Sequence, residues 1–149
     1  MPHEPQVGTP SEWFRRAKSN QIRAEQPRPA GVCWEDLCFD AQQAVEKALK
    51  ALLVHYNIPF RYVHDIAELL TLLEQAGLSL PEDARLAAGL SDYAVAARYP
   101  GPMEPVTEED YQEAVALSAT VLRWVERLLG QKQEPGNADI QPPQVAEEG

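Results

Sequence analysis

The stretch CFDAQQAVEKALKALLVHYN, from Cys38 to Asn57, constrains the fold more than any other part of the chain. On a helix, residues three and four apart share a face. Leu37, Ala41, Ala44, Ala48 and Leu52 then fall on one line, flanked by Val45, Leu49 and Tyr56. Small alanines inside an apolar stripe let another helix approach closely, which is the pattern of a central bundle helix. Asp40, Gln43, Lys47 and Lys50 fall on other faces, and this predicts a polar side.

The rest of the chain repeats the helical period. Thr9, Pro10 and Glu12 form an N-cap, a first-turn proline and a capping box, so a first helix runs to about Gln26 before the PRPAG break. The second helix spans about Cys33 to Tyr56, and Asn57 with Pro59 ends it. Ile66, Leu69, Leu70 and Leu73 mark a third helix that stops at Gly77. Pro81, Glu82 and Asp83 open a fourth, expected to continue to about Arg98, because Pro100 biases Tyr99 away from helical angles. Thr107 caps a fifth that runs to Leu129, with Gly130 as a left-handed stop. Only IPFRYV has the composition of a strand, and it lies in a helix connection. The expected architecture is all-α, an up-and-down antiparallel helical bundle of about five helices. Residues 1–8 read as a flexible start, 9–130 as one domain, and 131–149, with three prolines and no aromatic, as a disordered acidic tail.

Composition narrows the function. Hydrophobic residues are 44% of the 149, enough for one core. MPHEPQVGTP has no apolar signal-peptide region and no run reaches a membrane span, so the expected place is the cytoplasm, with no membrane partner. Cys33 and Cys38 are five apart and point to different sides of a helix, which argues against a disulfide. The three histidines supply no HExxH and the cysteines no CxxC, so neither a metal nor a cofactor is expected. The net charge of −10 argues against a generic nucleic-acid binder. It is uneven, however. Residues 1–64 hold eight Lys or Arg against seven Asp or Glu (net +1), 65–130 four against twelve (net −8), and 131–149 one against four (net −3). Any positive surface must therefore come mainly from the first two helices, through Arg15, Arg16, Lys18, Arg23, Lys47 and Lys50.

Three motifs in order then carry a likeness. Phe39, Ala41, Gln42, Gln43, Ala44, Glu46, Lys47, Lys50 and Ala51 form the first; His64 and Asp65 the second; Arg98, Tyr99 and Pro100 the third. Together with TEEDYQEAVALSATVLRWVERLL they resemble the HEPN domain family over about residues 11–129. The resemblance implies a helical bundle, commonly homodimeric, associated with nucleotides or RNA. It also implies a minimal nucleotidyltransferase as partner, often in a toxin–antitoxin arrangement. Some members are metal-independent ribonucleases, which carry an arginine, four to six residues and then a histidine. Here Arg98 is followed by Gly101-Pro102-Met103-Glu104-Pro105 and no histidine. No catalytic residue is therefore assigned, since proton transfer needs that imidazole. The expectation is a non-catalytic nucleotide- or RNA-associated module acting with a nucleotidyltransferase. A ribonuclease toxin and a ligand-free homodimeric scaffold are the alternatives.

The candidate ligand residues are Arg98, Tyr99, Lys47, Lys50, Gln43 and His64. They are placed where the end of the fourth helix meets the polar side of the second. Each has a structural alternative. Arg98 suits a phosphate or the carbonyls ending a helix. His64 and Asp65 suit a site or a helix cap. Lys47 and Lys50 suit an anion, but Glu46 and Lys50 also form an i, i+4 pair. Tyr99 suits a base or a core edge. Trp13, Trp34 and Trp124 are expected in the core or a dimer interface.

Overall fold

The computed structural model describes residues 8–60, 65–97 and 105–131. These form α1 (Pro10–Glu25), α2 (Trp34–His55), α3 (Ile66–Gln75), α4 (Glu82–Leu86), a 3₁₀ segment (Ala87–Ser91), α5 (Asp92–Ala96) and α6 (Glu108–Leu129). No strand occurs among the described residues. The three long helices make the frame. Asn20 meets Asp40 while Trp13 lies near Lys50, so α1 runs antiparallel to α2. Tyr111 reaches Ala24 and Ser118 reaches Gln21, so α1 also runs antiparallel to α6. The shorter helices return the chain from the end of α2 to the start of α6. Most of the expectations for 1–8 and 131–149 lie outside the described residues.

The local signals produce the boundaries they should. Thr9 and Glu12 form a reciprocal capping box at 3.0 Å each way, and Thr107 with Asp110 forms a second. Asp65 caps α3 through the Ala67 amide. α2 and α3 end in paired-bond C-caps. Asn57 takes φ 58°, with Ile58 N–H donating to Leu53 and Asn57 N–H to Val54. Gly77 takes φ 103°, with the equivalent bonds from Leu78 to Leu73 and from Gly77 to Glu74.

Three expectations need correction. The fourth helix is not continuous. Its middle tightens into the 3₁₀ segment at Gly89, a poor helix former, and the tighter turn lets Ser91 accept a bond from the first α3 amide, Ile66, at 3.1 Å. Gly130 does not stop α6 by a left-handed turn. Its φ is −77°, and the helix unwinds with right-handed geometry and an ordinary bond to Glu126. Finally, α2 has no broad solvent-facing polar side. Fourteen of its 22 residues are buried, and Asp40, Gln42, Glu46 and Lys50 are among them. A helix packed against α1, α3, α5 and α6 has too little free circumference to keep its polar residues in water.

The core is the alanine and leucine stripe of α2 with Ile66, Leu69, Leu73, Val121, Val125 and Leu128. Trp124 is buried, whereas Trp13 and Trp34 are half-buried. Trp34 stacks on Tyr111 at 4.8 Å with the Arg28 guanidinium 4.1 Å from its ring. The cysteines are both free, Cys33 exposed ahead of α2 and Cys38 buried within it. Burial, and then the carboxylates of Asp110 and Glu35, push the Cys38 thiol up to about 12. Since the thiolate is the reactive form, a neutral-pH alkylating reagent is expected to modify one thiol in the folded protein and two after denaturation, counted by intact mass. Modification of Cys38 in the native state would contradict this packing.

Candidate functional site

Two polar clusters gather on α2. The first is buried. Gln42 is fully buried, and its Nε2 donates to Glu46 Oε1 at 3.1 Å. Lys50 donates to Glu46 Oε2 at 2.9 Å, and both side chains are at most 7% exposed. The Lys50 ammonium also lies 5.5 Å from the Trp13 ring centre and 5.9 Å from that of Phe60. Gln43 joins from the rim, donating to Gln42 Oε1 at 2.8 Å. The geometry places Lys50, a candidate ligand cation, in the i, i+4 pair with Glu46. Its charge is compensated by Glu46, four residues earlier on the same helix.

The second cluster lies in the seam between α1 and α2 and reaches solvent. Lys47 donates to Asn20 Oδ1 at 2.8 Å, and Asn20 Nδ2 donates to Asp40 Oδ1 at 3.0 Å. Asp40 also pairs with Arg23 at 3.3 Å, the arginine side chain being 69% exposed. The Asn20 amide is fixed in one orientation, because its oxygen faces a cation and its nitrogen a carboxylate. Lys47 is held below the usual lysine range, first by burial and next by the repulsion of Arg16. Arg23 adds repulsion, while Glu46 and Asp40 oppose it. The seam thus brings Arg16, Arg23 and Lys47 together, with Asp40 buried beneath them and Glu46 shared with Lys50.

Of the candidate residues read from the sequence, Gln43 and Lys47 lie on one side of α2, and Lys50 lies in its interior pair. Arg98, Tyr99 and His64 lie outside the described residues. Asp65 is a helix cap. Asn20 and Asp40 were not anticipated as partners of Lys47. The sequence signal for them is Asn20 itself, since asparagine disfavours a helix interior unless its side chain has somewhere else to bond. Among the described residues no group of three or more His, Cys, Asp or Glu is arranged to hold a metal.

A model of the HEPN domain matches residues 10–128. The chain belongs to the HEPN domain family. Its fold is similar to the crystal structure of an archaeal HEPN homologue, with 28% identity over 83% of this chain and 99% of that one and a TM-score of 0.66. It is also similar to TT1696 from Thermus thermophilus, with 32% identity over 79% of this chain and 96% of that one and a TM-score of 0.67. No curated protein matches the chain. The matched residues take in α1, α2 and both polar clusters, so the clusters belong to the HEPN domain itself.

The buried cluster makes a stability prediction. Removing one member of a buried ion pair strands the other charge. Glu46→Ala is expected to cost about 3–5 kcal/mol, read by urea denaturation. A Glu46→Leu, Lys50→Leu double variant should recover most of that loss. Equal losses in the single and double variants would mean that the pair is not what matters at this site.

Proposed function

We propose that this HEPN-domain protein binds a nucleotide or RNA through the α1–α2 seam without cutting it, works as a homodimer, and acts with a nucleotidyltransferase partner in a toxin–antitoxin-like arrangement. The observation that carries the binding reading is the convergence of Arg16, Arg23 and Lys47. Three cations in one seam repel one another, and a phosphate relieves that repulsion while accepting charge-assisted hydrogen bonds. The neutral Asn20 amide completes the set by fixing the Lys47 ammonium at the seam. Elsewhere the chain is too acidic to compete, since residues 65–130 sum to −8. A phosphate at this seam is thus drawn to the one neutral-to-positive part of an acidic protein.

The reading as a binder and not a nuclease follows from histidine placement. No histidine stands beyond His64 in the sequence. The arginine–histidine pair that the nuclease members use has no second half after Arg98. The homodimer and the nucleotidyltransferase partner are supported by family membership alone.

Fluorescence anisotropy with a short single-stranded RNA tests the seam. Binding should weaken with salt, and Arg16→Ala, Lys47→Ala should flatten the log–log salt slope by about 0.7 for each phosphate the variant no longer neutralises. The RNA should remain intact without metal, and light scattering should return twice 16.6 kDa. Unchanged affinity in the double variant, with helicity retained, would reject the seam. RNA cleavage that disappears in Arg98→Ala would restore the nuclease reading, and a monomer mass would remove the homodimer. A nucleotidyltransferase encoded beside this chain should co-elute with it, and separate elution would remove that partner.

A further inference from the structure

At the far end of α2 from Asp40 lies an open groove of about 600 Å³, between the start of α1 and the ends of α2 and α6. Its size is within the range of small-ligand sites. Ser11, Phe14, Arg15 and Lys18 line it from α1, His55 from α2 and Glu126 from α6. Arg15 and Lys18 are exposed and three apart, so their cationic ends share one helix face. That face differs from the one carrying Arg16, Asn20 and Arg23, so the groove is separate from the α1–α2 seam.

His55 supplies an observation independent of the groove's shape. Its Nε2 is shielded from water and has no hydrogen-bond partner, while the Gln131 backbone bonds the imidazole. Buried polar atoms are rarely left unpaired. An imidazole nitrogen that holds no bond loses none by turning toward a ligand. Burial holds its protonation below the usual histidine range, and the Gln131 bond opposes that shift. The charged groups that line the groove with it are Arg15 and Lys18 from α1 and Glu126 from α6, and the Tyr56 ring lies edge-on to the imidazole at 4.8 Å.

We propose that this groove is a second anion site, one that takes a phosphate monoester between Arg15, Lys18 and the imidazole of His55. The guanidinium offers a fork to two phosphate oxygens and the ammonium a point charge. His55, turned outward and protonated, donates to a third oxygen. Phe14 gives the groove an apolar wall against which a base or sugar can lie. Glu126 opposes any anion here, and a monoester, whose extra charge and terminal oxygens engage all three donors, offsets that repulsion better than an internal phosphodiester does. This inference does not rest on the nucleic-acid reading of the seam.

The probes are adenosine monophosphate, a 5′-phosphorylated RNA oligonucleotide and the same oligonucleotide with a 5′-hydroxyl. The readout is the His55 imidazole resonance in the full chain, assigned with His55→Gln. Either phosphate monoester should shift it saturably and raise its titration midpoint, because the bound anion favours the charged ring. Adenosine monophosphate alone would place the site with free nucleotides, and the 5′-phosphorylated RNA alone with RNA ends. Arg15→Ala, Lys18→Ala should weaken the effect about tenfold or more. Arg123→Ala, which removes an exposed cation outside the groove, should not. The proposal fails if neither monoester moves the resonance, if the 5′-hydroxyl RNA moves it equally, or if Arg123→Ala weakens binding as much as the groove variants.

Discussion

The Glu46–Lys50 ion pair is the constraint around which the bundle is arranged. Two charges at most 7% exposed have been taken out of water within one helix. That transfer costs several kcal/mol per ion and is offset only where geometry and neighbours satisfy both partners. Gln42 and Gln43 do so for the carboxylate, and the rings of Trp13 and Phe60 flank the ammonium. Trp13 is on α1 and Phe60 follows α2, so satisfying one lysine ties down three parts of the chain. On another face of α2 the alanines at 41, 44 and 48 let neighbouring helices approach closely.

What the sequence made legible follows from how local each determinant is. Thr9 with Glu12, Thr107, Asp65, Asn57 and Gly77 act within one turn of themselves, and each appears at its boundary. Gly130 misled because a glycine permits a left-handed stop without requiring it. The break in the fourth helical segment centres on Gly89 and brings Ser91 to the α3 amide of Ile66, 25 residues away, and no periodicity encodes that meeting. The pattern of one helix says which residues lie together, not how many neighbours surround it, so the polar residues of α2 read as outward-facing. The apolar stripe was therefore legible, and the burial of Gln42 and Glu46 was not.

The candidate site was legible in part for the same reason. Gln43 and Lys47 stand out by belonging to a family motif, and they lie along one side of α2. The partner of Lys47, Asn20, comes from a different helix, and Asn20's own partner, Asp40, from a position that reads as simply polar. Such links form only when α1 is laid antiparallel on α2, which makes Asn20 the bridge between Lys47 and Asp40. The family assignment adds the fold to this picture, while the chemistry depends on these cross-helix contacts.

Lys47 and Lys50 show how two equal side chains on one helix acquire different roles. They are three residues apart, roughly 4.5 Å along the axis. Lys50 meets a carboxylate within its own helix, so its field is cancelled locally and it contributes to packing. Lys47 meets the neutral oxygen of Asn20 instead. A neutral acceptor orients an ammonium without removing its charge, and the nearby Arg16 and Arg23 add to that charge. Asp40 answers part of it, but its own bonds go to Asn20 and the exposed Arg23. The positive potential of the seam therefore comes from giving Lys47 an amide for a partner. With a carboxylate at position 20 in place of Asn20, Lys47 would be neutralised much as Lys50 is, and the attraction of the seam for phosphate would fall.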